Sequence, residues 1–225
     1  RGGVPEAERA YGVVARAVGG GGGIGAVAST NALLSLAIGG QGGVAGDGGA
    51  VSVAPAVGSR IQTWGTAAHA LVAQSVGGGG GIGGAASGGY FNLDRTDAGT
   101  YNSGHGGAVT VDYGGEIRTI GEGAHGIFAQ SIGNGGGFGG DGDGDFAGST
   151  GAGGSGTGGT VTVAQRGQVV AEGYNSVGIF AQSQGAEDQG QIDVTVGGSV
   201  IGGAGEQGAG VLVAACKNNL LTVEA

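Results

Sequence analysis

Gly126-Ile127-Phe128-Ala129-Gln130-Ser131-Ile132-Gly133 is the stretch on which the reading of this chain turns. It recurs upstream as Ala70-Leu71-Val72-Ala73-Gln74-Ser75-Val76-Gly77 and as Gly12-Val13-Val14-Ala15-Arg16-Ala17-Val18-Gly19. Weaker copies follow downstream at Gly178-Ile179-Phe180-Ala181-Gln182-Ser183-Gln184-Gly185 and Gly210-Val211-Leu212-Val213-Ala214-Ala215-Cys216. Each copy leads to a second alternating run: Val51-Ser52-Val53, Val109-Thr110-Val111, Val161-Thr162-Val163 and Ile192-Asp193-Val194. A third run comes next: Arg60-Ile61-Gln62-Thr63, Glu116-Ile117-Arg118-Thr119, Gln168-Val169-Val170-Ala171 and Ser199-Val200-Ile201. Period-two alternation of β-branched residues is the pattern of a strand, so the unit is three strands.

Three short strands cannot bury an apolar face alone, but stacked on copies of themselves they bury a continuous column of side chains. The interval from Ile61 to Ile117 is 56 residues, from Ile117 to Val169 it is 52, and from Val169 to Val200 it is 31. The shortest interval is a bare turn and the longer ones carry insertions. These fall each time between the first and second strands, at 19–49, 77–107 and 133–159, whereas only Gly185 to Gly190 fills that gap in the fourth turn. The expectation for residues 1–225 is one all-β module of about five partial turns. Its form is a parallel β-helix with three short strands per turn and long glycine-rich loops leaving one corner. Parallel crossovers are nearly always right-handed, which sets the expected hand.

Alternation assigns faces. In the first strand Val13, Leu71, Ile127, Ile179 and Val211 point inward with the alanines two residues on. Val14, Val72, Phe128, Phe180 and Leu212 point outward, as do Arg16, Gln74, Gln130 and Gln182. One outer face then carries an apolar row beside an amide row, fit to hold a neighbouring loop or chain and so to remove an apolar patch that soluble monomers usually avoid.

Composition excludes several classes. There are 63 glycines among 225 residues but only 2 prolines, without the strict three-residue glycine period that collagen needs. The 39% hydrophobic content, set in alternating runs, argues against a disordered linker. A net charge of −9 with 17 acids against 8 lysines and arginines leaves no basic stripe for nucleic acid. No window approaches the roughly 18 apolar residues of a membrane-spanning helix. A single cysteine forbids an internal disulfide, so stability must come from hydrogen-bonded ladders and packing. Without an initiator methionine or a signal peptide, the chain reads as a processed protein or an excised fragment.

The Ala-Gln-Ser-Val/Ile-Gly pattern with its glycine run, at 73–81 and in altered form at 129–137, resembles the repeats of large bacterial autotransporter passenger domains. Ala124-His125-Gly126-Ile127-Phe128-Ala129-Gln130-Ser131 strengthens the likeness, which covers about residues 10 to 215. The resemblance implies a right-handed β-helix exported through an outer membrane, in a class where many members are adhesins or surface stalks. No outer-membrane barrel is found in these residues, and a repeat reports scaffold rather than activity.

Among candidate functional residues, the glycine runs 19–23, 77–81 and 135–137 each precede an apolar residue: Ile24, Ile82 and Phe138. Leaving the same corner of successive turns, these loops are expected side by side, with Ile24, Ile82 and Phe138 as an apolar ladder in either a packed wing or an adhesive surface. Calcium is considered at Asp141, Asp143 and Asp145, because Gly136 to Asp141 fits the first six positions of a calcium-binding nonapeptide. Only one copy fits, so solvated acidic loop tips are the simpler reading and no cofactor is assigned.

An enzyme would need convergent carboxylates about 5 to 9.5 Å apart for glycoside cleavage. Asp112 and Asp193, two turns and two residues apart, fall roughly 12 Å from each other on strand spacing alone. Cys216 aligns with Val18, Val76 and Ile132 and reads as a small core residue. His69 and His125 occupy one repeat position, with Tyr11 and Asn175 expected there in other turns, which reads as a structural corner rather than a metal site. Trp64, Tyr90, Phe91 and Tyr101 are aromatics that could stack on sugars.

The sequence thus points to a non-enzymatic extracellular or cell-surface module with Ile24, Ile82, Phe138, Phe128, Phe180, Gln74, Gln130 and Gln182 as its interaction surface. The expected partner is a host or matrix surface, or copies of itself. A carbohydrate-active β-helix enzyme and a subunit of a self-assembling extracellular fibre are the alternatives.

Overall fold

The computed structural model describes residues 10–21, 28–29, 36–38, 45–78, 86–87, 91–93, 104–133, 135–138, 148–150 and 156–224; in the segments 28–29, 36–38, 86–87, 91–93, 135–138 and 148–150 only the backbone is described. These residues form an all-β structure without helices. The first sheet joins β1 (Val13–Val18), β6 (Leu71–Val76), β11 (Ile127–Ile132), β16 (Val177–Gln184) and β19 (Ala209–Ala214) in that order. The second joins β4 (Val51–Val53), β9 (Val109–Tyr113), β14 (Val161–Gln165), β17 (Ile192–Val196) and β20 (Leu220–Val223). The third joins β5 (Arg60–Thr63), β10 (Glu116–Thr119), β15 (Gln168–Ala171) and β18 (Ser199–Ile201).

Every pairing in these three sheets is parallel, and each joins equivalent positions of consecutive repeats. Ile127 stands opposite Leu71 on one side and Ile179 on the other. Ile117 stands between Ile61 and Val169, and Val161 between Val109 and Ile192. The chain visits the first, second and third sheets in turn and returns to the first one strand further on, the path that a parallel β-helix requires. β20 is a strand the sequence reading did not register. Its Leu-Leu-Thr-Val run, after Lys217-Asn218-Asn219, pairs with β17 and supplies the fifth repeat of the second sheet.

The inward residues meet in a single cluster: Leu71, Ile127 and Ile179 from the first sheet, Val109, Val111, Val161, Val163, Ile192 and Val194 from the second, Ile117 and Val169 from the third. Nearly all are shut off from solvent. Alanine at 73, 129 and 181 keeps the first sheet close to the other two. Burying one such branched side chain contributes about 1.5–3 kcal/mol, and a one-residue slip of any strand would turn its whole inward set to water.

The corners explain much of the glycine. Between the third and first sheets Gly121, Gly173 and Gly203 stack so tightly that a Cβ on Gly173 would lie 1.8 Å from the Gly121 carbonyl oxygen, and one on Gly203 would lie 1.7 Å from that of Gly173. Two residues on, the backbone turns left-handed at Ala67, Gly123, Asn175 and Gly205, with φ of 50°, 63°, 55° and 109°. The N–H groups of Ala67, Gly123 and Asn175 donate to Glu122, Tyr174 and Ala204. Asn175 therefore stacks with Ala67 and Gly123, two residues before the histidine position that sequence alignment gave it. Asparagine tolerates a left-handed backbone, and Val177 takes the place in register with His125.

The insertions are seen only in short pieces. Those of the first and second repeats pair with each other in parallel, β2 (Ala28–Ser29) with β7 (Ala86–Ser87) and β3 (Leu36–Ile38) with β8 (Phe91–Leu93). The described part of the third folds on itself, with β12 (Gly135–Phe138) antiparallel to β13 (Gly148–Thr150). Side-by-side loops thus hold in these pieces of the first two. Among the described residues no helix is long and apolar enough to cross a membrane, which says nothing of a β-barrel.

Ile117→Ala should cost about 2–5 kcal/mol in urea unfolding, the usual loss for emptying a packed site. Val57→Ala, at a residue 87% exposed, should stay within about 0.5 kcal/mol. Equal costs at the two positions would mean that Ile117 is not in a closed core.

Candidate interaction surface

The Gln-Ser pair of the recurrent motif builds two ladders on opposite sides of the first sheet. Gln74, Gln130 and Gln182 are in register and point away from the core. The Gln74 Nε2 donates to Gln130 Oε1 at 2.5 Å, and Gln130 Nε2 to Gln182 Oε1 at 2.5 Å. Gln182 Nε2 then reaches Gln184 Oε1 at 3.1 Å. Gln130 and Gln182 each accept from one amide and donate to another, so the row runs head to tail across three repeats and ends at a buried Gln74 Oε1 with no hydrogen-bond partner.

On the inner side, the serine clips the strand to the corner where an insertion rejoins the second sheet. Ser75 Oγ donates to the Gly49 carbonyl at 2.8 Å and accepts the Gly107 N–H at 2.8 Å. Ser131 does the same with Gly107 and Gly159, and Ser183 with Gly159 and Gly190. One hydroxyl thereby satisfies a carbonyl of the preceding repeat and an amide of its own. A Cβ on Gly106 or Gly158 would come within 2.4 Å of a serine Oγ, so the motif requires glycine at this approach. Ala17 and Ala215 take the serine position in the first and fifth repeats.

Beside the amides runs an aromatic column. Phe128 and Phe180 stack with ring centroids 4.9 Å apart, His69 and His125 at 4.7 Å, and Tyr11 lies 5.6 Å from His69. His125 also stacks on Phe180 at 5.9 Å. Such contacts are worth about 0.5–1.5 kcal/mol beyond area burial.

This outward face is covered over its middle repeats. Gln74, Gln130, Val72 and Phe128 are all buried, Phe180 and Gln182 are half-buried, and the row opens only at its ends, with Val14 47% and Leu212 39% exposed. Only one chain is present, so the cover over the middle repeats is intramolecular. The amide and phenyl rows thus work chiefly as internal ladders, leaving Phe180, Gln182 and Leu212 as the reachable part.

Ile24, Ile82, Asp141, Asp143 and Asp145 lie outside the described residues. Phe138 is placed by backbone only, opposite Gly148. Among the described residues no three histidines, cysteines or carboxylates gather as metal ligands. Asp112 pairs with Arg166, and Asp193 accepts from Gln191 at 2.7 Å, so the two acids are engaged separately. Cys216 is half-buried against the core, where the left-handed Ala215, φ 46°, precedes it. Trp64 stands 57% exposed. Sequence reasoning missed the serine clips and the continuity of the amide row, although Gln-Ser recurring at one register position was the signal for both.

Ser131→Ala leaves the Gly107 carbonyl and the Gly159 N–H without their shared partner. It should destabilise the chain by about 1–3 kcal/mol and expose the Gly159 amide to hydrogen exchange; unchanged protection at Gly159 would remove the clip from the account. No protein-family model, curated protein or solved structure matches this chain.

Proposed function

We propose that this chain is a non-enzymatic extracellular surface module, an adhesin-like segment of an autotransporter-type passenger, built as a right-handed parallel β-helix with three strands per turn. The glycine-rich insertions leave one corner of the coil and carry the contact surface toward a host or matrix surface.

The observation that carries this reading is the division of labour between strands and insertions. Equivalent residues of consecutive repeats pair one to one in all three sheets, and the polar residues of the repeated motif spend their hydrogen bonds on holding repeats together. Little of the repeat is left over for chemistry. What varies is the insertion, and variable loops on a rigid scaffold are where binding usually resides. The resemblance of the Ala-Gln-Ser-Val/Ile-Gly pattern to passenger repeats supports export and surface display.

A second reading, a subunit of an extracellular fibre, is favoured by one feature. β20 is the edge of the second sheet, and its Leu220, Leu221 and Val223 are exposed, a combination that invites pairing with another strand.

Beads coated with the intact chain should adhere to epithelial cells or to an extracellular-matrix layer. Removing residues 79–103 should reduce that adhesion at least tenfold while leaving the β-type circular dichroism in place. Adhesion that survives the deletion, or an intact chain that adheres to neither, would overturn the proposal. Sedimentation across rising concentration decides the second reading, which a persistent monomer would end.

A further inference from the structure

The corner between the third and first sheets holds an imidazole in two consecutive repeats. The His125 N–H donates to Nδ1 of His69 at 2.9 Å, and the Val177 N–H donates to Nδ1 of His125 at 3.0 Å. A backbone amide can only donate, so both Nδ1 atoms must be unprotonated and each neutral ring keeps its proton on Nε2. His105 repeats the arrangement at another corner, where the Thr157 N–H donates to its Nδ1 at 3.1 Å. The His69 and His125 rings are stacked, with the phenol of Tyr11 against His69 and the rings of Phe128 and Phe180 against the pair.

A proton on either Nδ1 would turn an acceptor toward a donor and lose a bond between repeats. On His69, only 3% exposed, the same proton would also place a charge against a second imidazole. Of the described titratable groups, Tyr11 and His125 stack against His69, and His69 stacks against His125. Glu122, the charged residue of this corner, is exposed to solvent.

We propose that this buried imidazole corner makes the stack acid-labile: it must open to admit a proton, so the hold between consecutive repeats loosens as the surroundings acidify. Burial, reinforced by His125, brings the His69 pKa down from 6.5 to about 3. The folded value lies below the unfolded one, so the unfolded chain binds the extra proton. The stabilisation is complete above about pH 6.5 and drains away as pH falls toward 3. Between pH 7.5 and 5, His69 alone should raise the unfolding equilibrium constant about thirtyfold. Hydrogen bonds from Arg118 and Lys217 hold the carboxyls of Glu172 and Asp188 below their usual range, so those pairs break at lower pH and leave this window to His69.

The test is urea unfolding of the whole chain at pH 7.5 and 5, with amide hydrogen exchange at the same two values. The wild type should show the loss, and protection of the His125 and Val177 amides should fall more than that of the neighbouring Ile127 and Ile179 amides. His69→Asn with His125→Asn keeps a neutral acceptor near each Nδ1 position, and this double variant should lose most of the pH dependence. Equal wild-type stability at the two pH values, a variant as acid-sensitive as wild type, or undiminished protection at His125 and Val177 would each overturn the proposal. The exchange measurement on wild type decides alone if the variant does not fold.

Discussion

Register between repeats is the constraint on which this structure depends. An inward isoleucine or valine in one repeat lies directly over its counterpart in the next, at the 4.7–4.9 Å spacing of hydrogen-bonded strands. The column is closed only if every strand keeps step. A slip of one residue in β10 would carry Ile117 out and Glu116 in, and would drag the Arg60–Glu116 and Arg118–Glu172 pairs out of line with it. Those pairs are exposed and contribute little themselves, but they agree with the register that the core imposes.

The polar residues of the motif then serve the same constraint by different means. Glutamine forms a row along the outer face, serine spans a corner, and glycine makes room for the serine oxygen and for corner carbonyls. This explains how the described repeats of a chain with 63 glycines stay in register despite the entropy that glycine loses on folding. Many of the described glycines sit where a Cβ would collide with the repeat above or below, so at those positions glycine follows from stacking.

The strands of the core were legible in the sequence because alternation reports directly which side chains face one another. Ile61, Ile117 and Val169 could be placed in one column from their intervals alone. The corners were less legible. Asn175 was set two residues out of register because no periodic pattern marks a left-handed turn, and Ala67 occupies that conformation without any sequence signal. Cover on the outer face was less legible for another reason: alternation tells which way Gln74 and Phe128 point, but not whether a loop or another chain lies over them. β20 was overlooked because its copy of the second run is displaced behind a Lys-Asn-Asn turn.

The function proposed here depends on the strands being a scaffold and on nothing else claiming their side chains, which makes the stacking itself the point to test. In a sample labelled at isoleucine and valine methyl groups, nuclear Overhauser contacts from Ile117 report its neighbours directly. The account predicts contacts to both Ile61 and Val169. Ile117 methyl groups that see neither residue would contradict it.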